Sequence, residues 1–221
     1  MRKIIIDTDP GQDDALAMMT AFGAKKDLNV LGVTCVAGNV PLDLTSVNAL
    51  KICELSGVFS VPVFRGSPAP LKRKLITAEH VHGKTGLDGT DLLVKKKELE
   101  PTDAVDFIIE CTKKYRDEKI TICALGPLTN IAKVLKEDTV STESIQEIVL
   151  MGGGFFEGGN ITPAAEFNIY VDPEAAKIVL ESGLKITMLP LDVTHKTLVQ
   201  RNFLEKLRKS GKNSAIQAAK L

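Results

Sequence analysis

Short apolar runs alternate with stretches of helical period along the chain. Runs rich in β-branched residues predict strands, and these are "KIIID", "LNVLGVTCVAG", "VPVFRG", "KITICALG", "QEIVLMGGG" and "KITMLPLDV". Amphipathic stretches between them predict helices, namely "DDALAMMTAFGA", "LDLTSVNALKICELSG", "DAVDFIIECTKKYRD", "PLTNIAKVLKED" and "DPEAAKIVLESG". We predict Pro127 in the first turn of one helix, Asp172 as the N-cap of another, and a further helix from about Gln200 to Ser210 before a final helical piece. Because the strands are continuously apolar, the pattern indicates an α/β fold, with an open, mainly parallel sheet and helices on both faces.

Polar and glycine-rich motifs follow directly after four of these strands. They are "DTDPGQDD", "AGN", "GPLTN" and "MGGGF". Ligands bind at the carboxyl ends of the strands in open α/β sheets, so the motifs predict a site at one edge. Two long loops, about residues 65–100 and 152–170, carry polar side chains among glycines and are expected to contribute to it.

Composition limits the classes of partner. The chain has 221 residues, with 28 basic and 28 acidic side chains, so its net charge is zero and no global field favours nucleic acid or a membrane. The four cysteines are widely scattered, which indicates reduced, buried thiols, and no run reaches the roughly 18 apolar residues of a membrane span. We expect a cytoplasmic protein with a small-molecule ligand and a single domain over residues 1–221.

The first motif places four aspartates, Asp7, Asp9, Asp13 and Asp14, within eight positions. Packed carboxylates repel, and a helix N-terminus offsets only about 0.3–1 kcal/mol for each charge. An oxygen-preferring divalent cation, Ca²⁺ or Mg²⁺ rather than Zn²⁺, would hold them together. The alternative is that Asp13 caps the helix and the others lie in a solvated turn.

The motifs together resemble the nucleoside hydrolase family of the inosine–uridine-preferring type. The resemblance rests on "DTDPGQDDA", "AGN", "VHGKTGLDG", "LGPLTNIA", "LMGGGF", "NITPAAEFNIYVDPEAA" and "LDVTH", in this order along the whole chain. It implies a nucleoside hydrolase-like fold with a Rossmann-like core. It also implies calcium-dependent hydrolysis of ribonucleosides to ribose and free base, a role in nucleoside salvage, and assembly into homodimers or homotetramers.

The resemblance also implies roles for individual residues. It makes Asp9 the general base and a calcium ligand, together with Asp14 and the backbone carbonyl of Leu125. We expect Asp7 to orient these ligands from behind. The implied substrate-binding residues are Asp13, Asn39, His82, Met151, Asn160, Glu166 and Asn168, with His82 near the base and most others at the ribose.

Simpler structural roles stay open for several of these residues. His82 could be a surface histidine, Asn160 and Asn168 turn residues, and Asn39 a helix cap. Thr129 and Asn130 are expected only to shape a helical turn, and His195 to make a structural hydrogen bond.

Other functions are also compatible with the sequence. An apolar strand ending in DxD begins the haloacid-dehalogenase-type phosphatases, although Gly11 and the following DD pair depart from their pattern. Nucleoside hydrolases continue further and carry a late His–Asp pair, whereas the three histidines here, His80, His82 and His195, lack a following Asp. We therefore expect a chain incomplete at its C-terminus, without the last metal carboxylate and the general acid. A non-catalytic riboside-binding relative is the alternative.

Overall fold

The computed structural model describes residues 1–137 and 141–221. Six strands form one sheet in the order β3-β2-β1-β4-β5-β6, and every neighbouring pair is parallel. The strands are β1 (Arg2–Thr8), β2 (Leu28–Cys35), β3 (Val63–Arg65), β4 (Ile120–Ala124), β5 (Ile145–Met151) and β6 (Ile186–Leu189). The strand order reverses direction between β1 and β4, and such a switch point is where open α/β sheets bind ligands.

Helices lie between and after the strands, and a short 3₁₀ helix, Thr142–Ser144, precedes β5. The α-helices of the described ranges are α1 (Gln12–Gly23), α2 (Leu42–Leu55), α3 (Glu79–His82), α4 (Ala104–Lys114), α5 (Thr129–Lys136), α6 (Phe167–Val171), α7 (Pro173–Leu180), α8 (Leu191–Thr194), α9 (Arg201–Lys209) and α10 (Asn213–Ala218). Within these ranges, no helix is both long and apolar enough to cross a membrane.

Two apolar cores lie on opposite faces of the sheet, because successive strand side chains alternate between faces. Ile5 belongs to the core formed with α4, α5 and α7, whereas Ile4 and Ile6 belong to the core formed with α1 and α2. The prediction of an open parallel sheet with helices on both faces is therefore confirmed.

Most predicted elements are present, with differences at several ends. The predicted strand "KITMLPLDV" ends at Leu189, because Pro190 begins the separate short helix α8. Helix α5 begins at Thr129 with Leu128 as its N-cap, so Pro127 precedes the helix and the prediction that it lies in the first turn is wrong. Asp138, at the predicted end of this helix, lies outside the described residues. The short helices α3 and α6 lie within the stretches predicted as loops.

The predicted N-cap of α7 is confirmed. The carboxylate of Asp172 accepts a hydrogen bond from Ala175 N at 3.0 Å, and Pro173 follows it in the first turn. Asp172 also accepts from Leu71 N at 2.8 Å and from Thr129 Oγ1 at 2.7 Å. One buried carboxylate thus joins the starts of α5 and α7 to the long segment after β3.

Candidate active site

A cavity of about 290 Å³ opens at the carboxyl edge of the sheet, beside the switch point between β1 and β4. Nine of the predicted site residues line it, and these are Asp13, Asp14, Asn39, His82, Leu125, Met151, Asn160, Glu166 and Asn168. They come from the ends of β1, β2, β4 and β5 and from the two long loops, as the strand-end argument predicts. Asp9 and Asp7 lie outside the lining.

Asp9 is buried, with 1% of its surface exposed. Its Oδ2 accepts a hydrogen bond from Asn39 N at 2.7 Å, whereas its Oδ1 has no hydrogen-bond partner among the described residues. Two glycines make room for the carboxylate: a Cβ at Gly38 would lie 2.1 Å from Oδ2, and a Cβ at Gly126 would lie 2.3 Å from Oδ1. The local sequence therefore holds a buried carboxylate with one oxygen left unsatisfied.

The N-cap of α1 is Gly11, and Asp14, not Asp13, is the carboxylate that bonds to it. Its Oδ2 accepts from Gly11 N at 3.0 Å, and its Oδ1 accepts from Thr8 Oγ1 at 2.7 Å. Asp13 is exposed at the cavity wall. The alternative of an Asp13 cap and a solvated turn is therefore wrong, because Asp7, Asp9 and Asp14 are all buried.

Burial dominates the electrostatics of the aspartates. Burial, then the charge of Asp14, raises the pKa of Asp9 well above its ordinary value. Burial, then the charge of Asp13, raises the pKa of Asp14 to about 7. In the described part of the chain, no Lys, Arg or His forms an ion pair with either carboxylate. The ionised forms therefore lack a compensating positive charge.

The donor set suits a hard divalent cation. The described residues contain no group of three or more His, Cys, Asp or Glu side chains arranged to hold a metal. The nearby donors are the Asp9 and Asp14 carboxylates and the carbonyl oxygen of Leu125, the residue before Gly126. These are all oxygens, which Ca²⁺ and Mg²⁺ prefer, and the orphaned Oδ1 of Asp9 is the atom that such an ion would satisfy.

Asp7 lies behind the cavity in a buried polar network. Its Oδ1 accepts from Thr34 Oγ1 at 2.6 Å and from Asn130 Nδ2 at 2.8 Å. Burial raises its pKa to about 6. Asn130 also donates to Cys35 O at 3.0 Å and accepts from Ser67 N at 2.8 Å. Asn130 therefore does more than shape a helical turn, since it joins α5 to β1, β2 and the segment after β3.

Asn39 connects the two carboxylates at the cavity floor. Its backbone N–H donates to Asp9 Oδ2, and its Nδ2 donates to Asp9 O at 3.0 Å and to Asp14 Oδ2 at 3.3 Å. The reading of Asn39 as a helix cap is wrong, because Pro41 is the N-cap of α2 and the cap has no side-chain hydrogen bond. Asn39 instead lines the cavity next to the two carboxylates.

The opposite wall comes from residues 152–168. Glu166 caps α6 and accepts from three backbone N–H groups, those of Gly153 at 3.0 Å, Asn168 at 2.9 Å and Ile169 at 3.2 Å. Burial nevertheless raises its pKa, because desolvation outweighs these bonds. Both carboxylate oxygens of Glu166 thus accept hydrogen bonds from the backbone beside the cavity.

The two predicted asparagines of this wall make structural bonds as well as lining the cavity. Asn160 Oδ1 accepts from Phe167 N at 2.8 Å. Asn168 Nδ2 donates to Leu125 O at 2.8 Å and to Met151 O at 3.1 Å. Asn168 therefore fixes the ends of β4 and β5 relative to α6.

His82 lies on α3 rather than in an irregular loop, and it is half-buried at the cavity wall. Its Nδ1 lies 2.5 Å from Gln12 Oε1. His195 is exposed and lies 3.5 Å from Glu157, outside the cavity lining. Five further lining residues were not predicted from the sequence, because they belong to no recognised motif position. They are Ala78, His80, Val81, Ile161 and Phe167.

Fold and site together define a class: an α/β protein with a carboxylate-floored ligand cavity at the switch point of a parallel sheet. The chain belongs to the inosine-uridine preferring nucleoside hydrolase family, which it matches over residues 4–221. Membership confirms the resemblance inferred from the motifs and leaves the phosphatase alternative without support.

Curated relatives share extended similarity with the chain. An uncharacterised protein of Schizosaccharomyces pombe is 52% identical over 194 residues, covering 88% of this chain and 62% of the relative. A pyrimidine-specific ribonucleoside hydrolase, RihB, of Escherichia coli is 44% identical over 210 residues, covering 95% of this chain and 66% of the relative. The chain thus spans somewhat less than two thirds of the length of these relatives.

Solved structures share the fold. A plant nucleoside hydrolase, PpNRh1, superposes with a TM-score of 0.92 at 36% identity, covering 99% of this chain and 69% of that chain. A purine-preferring ribonucleoside hydrolase from Gardnerella vaginalis superposes with a TM-score of 0.94 at 34% identity, covering 99% of this chain and 70% of that chain. The predicted nucleoside hydrolase-like fold is confirmed.

Proposed function

We propose that the protein is a calcium-dependent ribonucleoside hydrolase that cleaves the N-glycosidic bond and yields ribose and free nucleobase. Membership of the nucleoside hydrolase family supports the reaction class. The observation that carries the proposal at the site is the buried Asp9 carboxylate with its unsatisfied Oδ1, next to the buried carboxylate of Asp14. In their ionised forms, two desolvated carboxylates at a ligand cavity need a cation, and a cation there suits hydrolysis.

We infer that Asp9, Asp14 and the carbonyl of Leu125 hold the calcium ion. When bound, the ion supplies positive charge that lowers the pKa of water and anchors hydroxyl groups of the sugar. Asp7 orients this group from behind through the hydrogen bonds that it accepts from Thr34 and Asn130.

Asp9 acts as the general base in this mechanism. Its carboxylate takes a proton from the attacking water as the oxygen of that water approaches C1′ of the ribose. The bond between C1′ and the base nitrogen breaks through an oxocarbenium-like transition state, as in glycoside hydrolysis, and its electron pair leaves with the base. The departing base takes up a proton from solvent water, and Asp9 returns its proton to solvent.

The remaining lining residues would bind the nucleoside. Asp13 presents an exposed carboxylate to the cavity, and Asn39 lies between the two buried carboxylates. Asn160, Glu166 and Asn168 surround the other side of the expected ribose position, with Met151 against the sugar and His82 towards the base. Fixing the ribose hydroxyls in this way would align C1′ with the water.

The test is release of reducing sugar from inosine, uridine and cytidine by the complete gene product, with calcium and with a chelator. Both purine and pyrimidine substrates are needed, because one relative is named pyrimidine-specific and a structural neighbour purine-preferring. We expect release that stops on chelation and returns with calcium. Binding of nucleosides without release under any metal would instead favour the non-catalytic riboside-binding protein.

The biological setting is proposed more broadly. Four cysteines that form no disulfide support a reducing compartment, the cytoplasm, and nucleoside release supports salvage of bases and ribose. Homodimers or homotetramers are the expected assembly, and sedimentation of the gene product would measure it.

A further inference from the structure

The side chain of Gln12 makes two contacts with His82, a residue that lines the cavity. Gln12 lies at the first position of α1, and His82 ends α3, 70 residues later. Gln12 Oε1 lies 2.5 Å from His82 Nδ1, and Gln12 Nε2 donates to the backbone carbonyl of His82 at 3.3 Å. One side-chain amide therefore contacts both the ring and the backbone of the same histidine.

The second of these contacts fixes the orientation of the amide. A carbonyl oxygen only accepts hydrogen bonds, so the NH₂ group of Gln12 must face the backbone oxygen of His82. The amide oxygen then faces Nδ1, and an acceptor there requires Nδ1 to carry a hydrogen. In the neutral ring, Nε2 is consequently the nitrogen without a proton.

Packing holds the ring in this position. A Cβ at Gly11 would lie 2.6 Å from His82 Nδ1 and 2.8 Å from His82 Cε1, so only glycine lets the chain pass the ring this closely. Asp13 and His80 are the nearby titratable groups, and burial, the largest influence, lowers the pKa of His82. The ring is therefore neutral at mildly alkaline pH.

We propose that Gln12 is a positioning residue that keeps His82 as the Nδ1–H tautomer, so that Nε2 meets the ligand as a hydrogen-bond acceptor. The inference rests on the proposed function for the identity of the ligand, since His82 lines the nucleoside cavity. Such a nitrogen accepts from N–H or O–H groups, and the proposed function places the ribose hydroxyls at Asp13, Asn39 and residues 160–168. The donor expected at His82 is therefore an N–H group of the nucleobase. The amide of Gln12 thus determines that His82 Nε2 accepts rather than donates a hydrogen bond, without contacting the base itself.

The first test is the tautomer itself, read from two-bond couplings in a ¹H–¹⁵N spectrum at mildly alkaline pH. The chain has three histidines, and His82→Asn assigns the signal. We expect Nδ1–H for His82 in the unmodified protein and in Gln12→Glu, which retains an acceptor. We expect the ring to change to Nε2–H in Gln12→Leu, while the exposed control Gln200→Leu leaves it unchanged. Nε2–H in the unmodified protein, or an unchanged ring in Gln12→Leu, overturns the proposal.

The second test separates base from sugar. In Gln12→Leu we expect the KM for nucleosides to rise about five- to tenfold, the loss of one buried hydrogen bond, while inhibition by ribose alone stays unchanged. Equal weakening of nucleoside and ribose would contradict a role in base recognition. If no hydrolysis occurs at all, the proposed function fails, and the tautomer measurement still decides the role of Gln12.

Discussion

Each side of the cavity holds a buried carboxylate, Asp9 just behind the lining and Glu166 within it, and the two differ in their hydrogen bonds. On the side of β1, Asp9 has one oxygen bonded to Asn39 N and one without a partner in the described part of the chain. On the loop side, Glu166 is equally buried, yet both of its oxygens accept backbone N–H groups. Burial alone therefore does not indicate chemistry. What distinguishes the β1 side is a buried carboxylate with one oxygen that has no hydrogen-bond partner among residues 1–137 and 141–221.

The largest expected effect is that of Asp9→Asn. Loss of the general base should reduce nucleoside hydrolysis about 10²- to 10⁴-fold, and the rise in Tm on adding calcium should disappear. In chelator, the variant should be more stable than the unmodified protein above neutral pH, because a neutral amide replaces a desolvated carboxylate. Hydrolysis assays and thermal melts measure both, with the exposed Asp117→Asn as control. A calcium-dependent Tm rise retained in Asp9→Asn would contradict the assignment.

In chelator, Glu166→Ala should be less stable than the unmodified protein, whereas Asp9→Asn should be more stable. Removing the acceptor of three backbone N–H groups and the cap of α6 should cost about 2 kcal/mol of unfolding free energy. Calcium affinity should stay close to that of the unmodified protein. Denaturant unfolding measures the free energy of unfolding, and calorimetric titration measures calcium affinity. A gain in stability would show that Glu166, like Asp9, is a buried carboxylate whose removal stabilises the protein in chelator.

Gly126→Ala tests the space around Asp9 without changing any charge. The added Cβ would lie 2.3 Å from Asp9 Oδ1, so the carboxylate must move, and calcium affinity should fall at least about tenfold. Gly23→Ala is the matched control, because its Cβ would meet nothing within 4 Å. Equal calcium affinities of the two variants would show that glycine is not required at position 126 for Asp9 to bind calcium.

The smallest effect is expected for His195→Ala. The side chain is half exposed and its contact with Glu157 is 3.5 Å, so stability should change by less than about 0.5 kcal/mol. Hydrolysis should be unchanged, because His195 lies outside the cavity lining. A drop in kcat would place His195 in the site.

The same contrast explains what the sequence could predict. The ends of strands can be predicted from apolar runs and the glycine and polar residues that follow them. Because the carboxyl ends of parallel strands meet at one edge of a sheet, the aspartate motif, Asn39 and the end of β4 could be placed together. Asn130 could not be understood in this way, because its partners Asp7, Cys35 and Ser67 are distant in sequence. A side chain at the start of a helix carries no local signal of such long-range bonds.

The loop wall was predicted only in part. Glu166, Asn160 and Asn168 were identified through the family resemblance, yet their backbone bonds depend on the short helix α6, which has five residues and no strong period. Helix α3 was missed for the same reason, and His80 with it. Short elements of this kind are fixed by capping and tertiary contacts rather than by propensity.

The most direct test of the proposed calcium site is a pair of crystal structures of the protein, one grown with calcium and one with a chelator. We predict calcium density about 2.3–2.6 Å from Asp9 Oδ1 and from a carboxylate oxygen of Asp14, and no such density with the chelator. Calcium bound elsewhere, with Asp9 Oδ1 still unsatisfied in a protein that hydrolyses nucleosides, would contradict it.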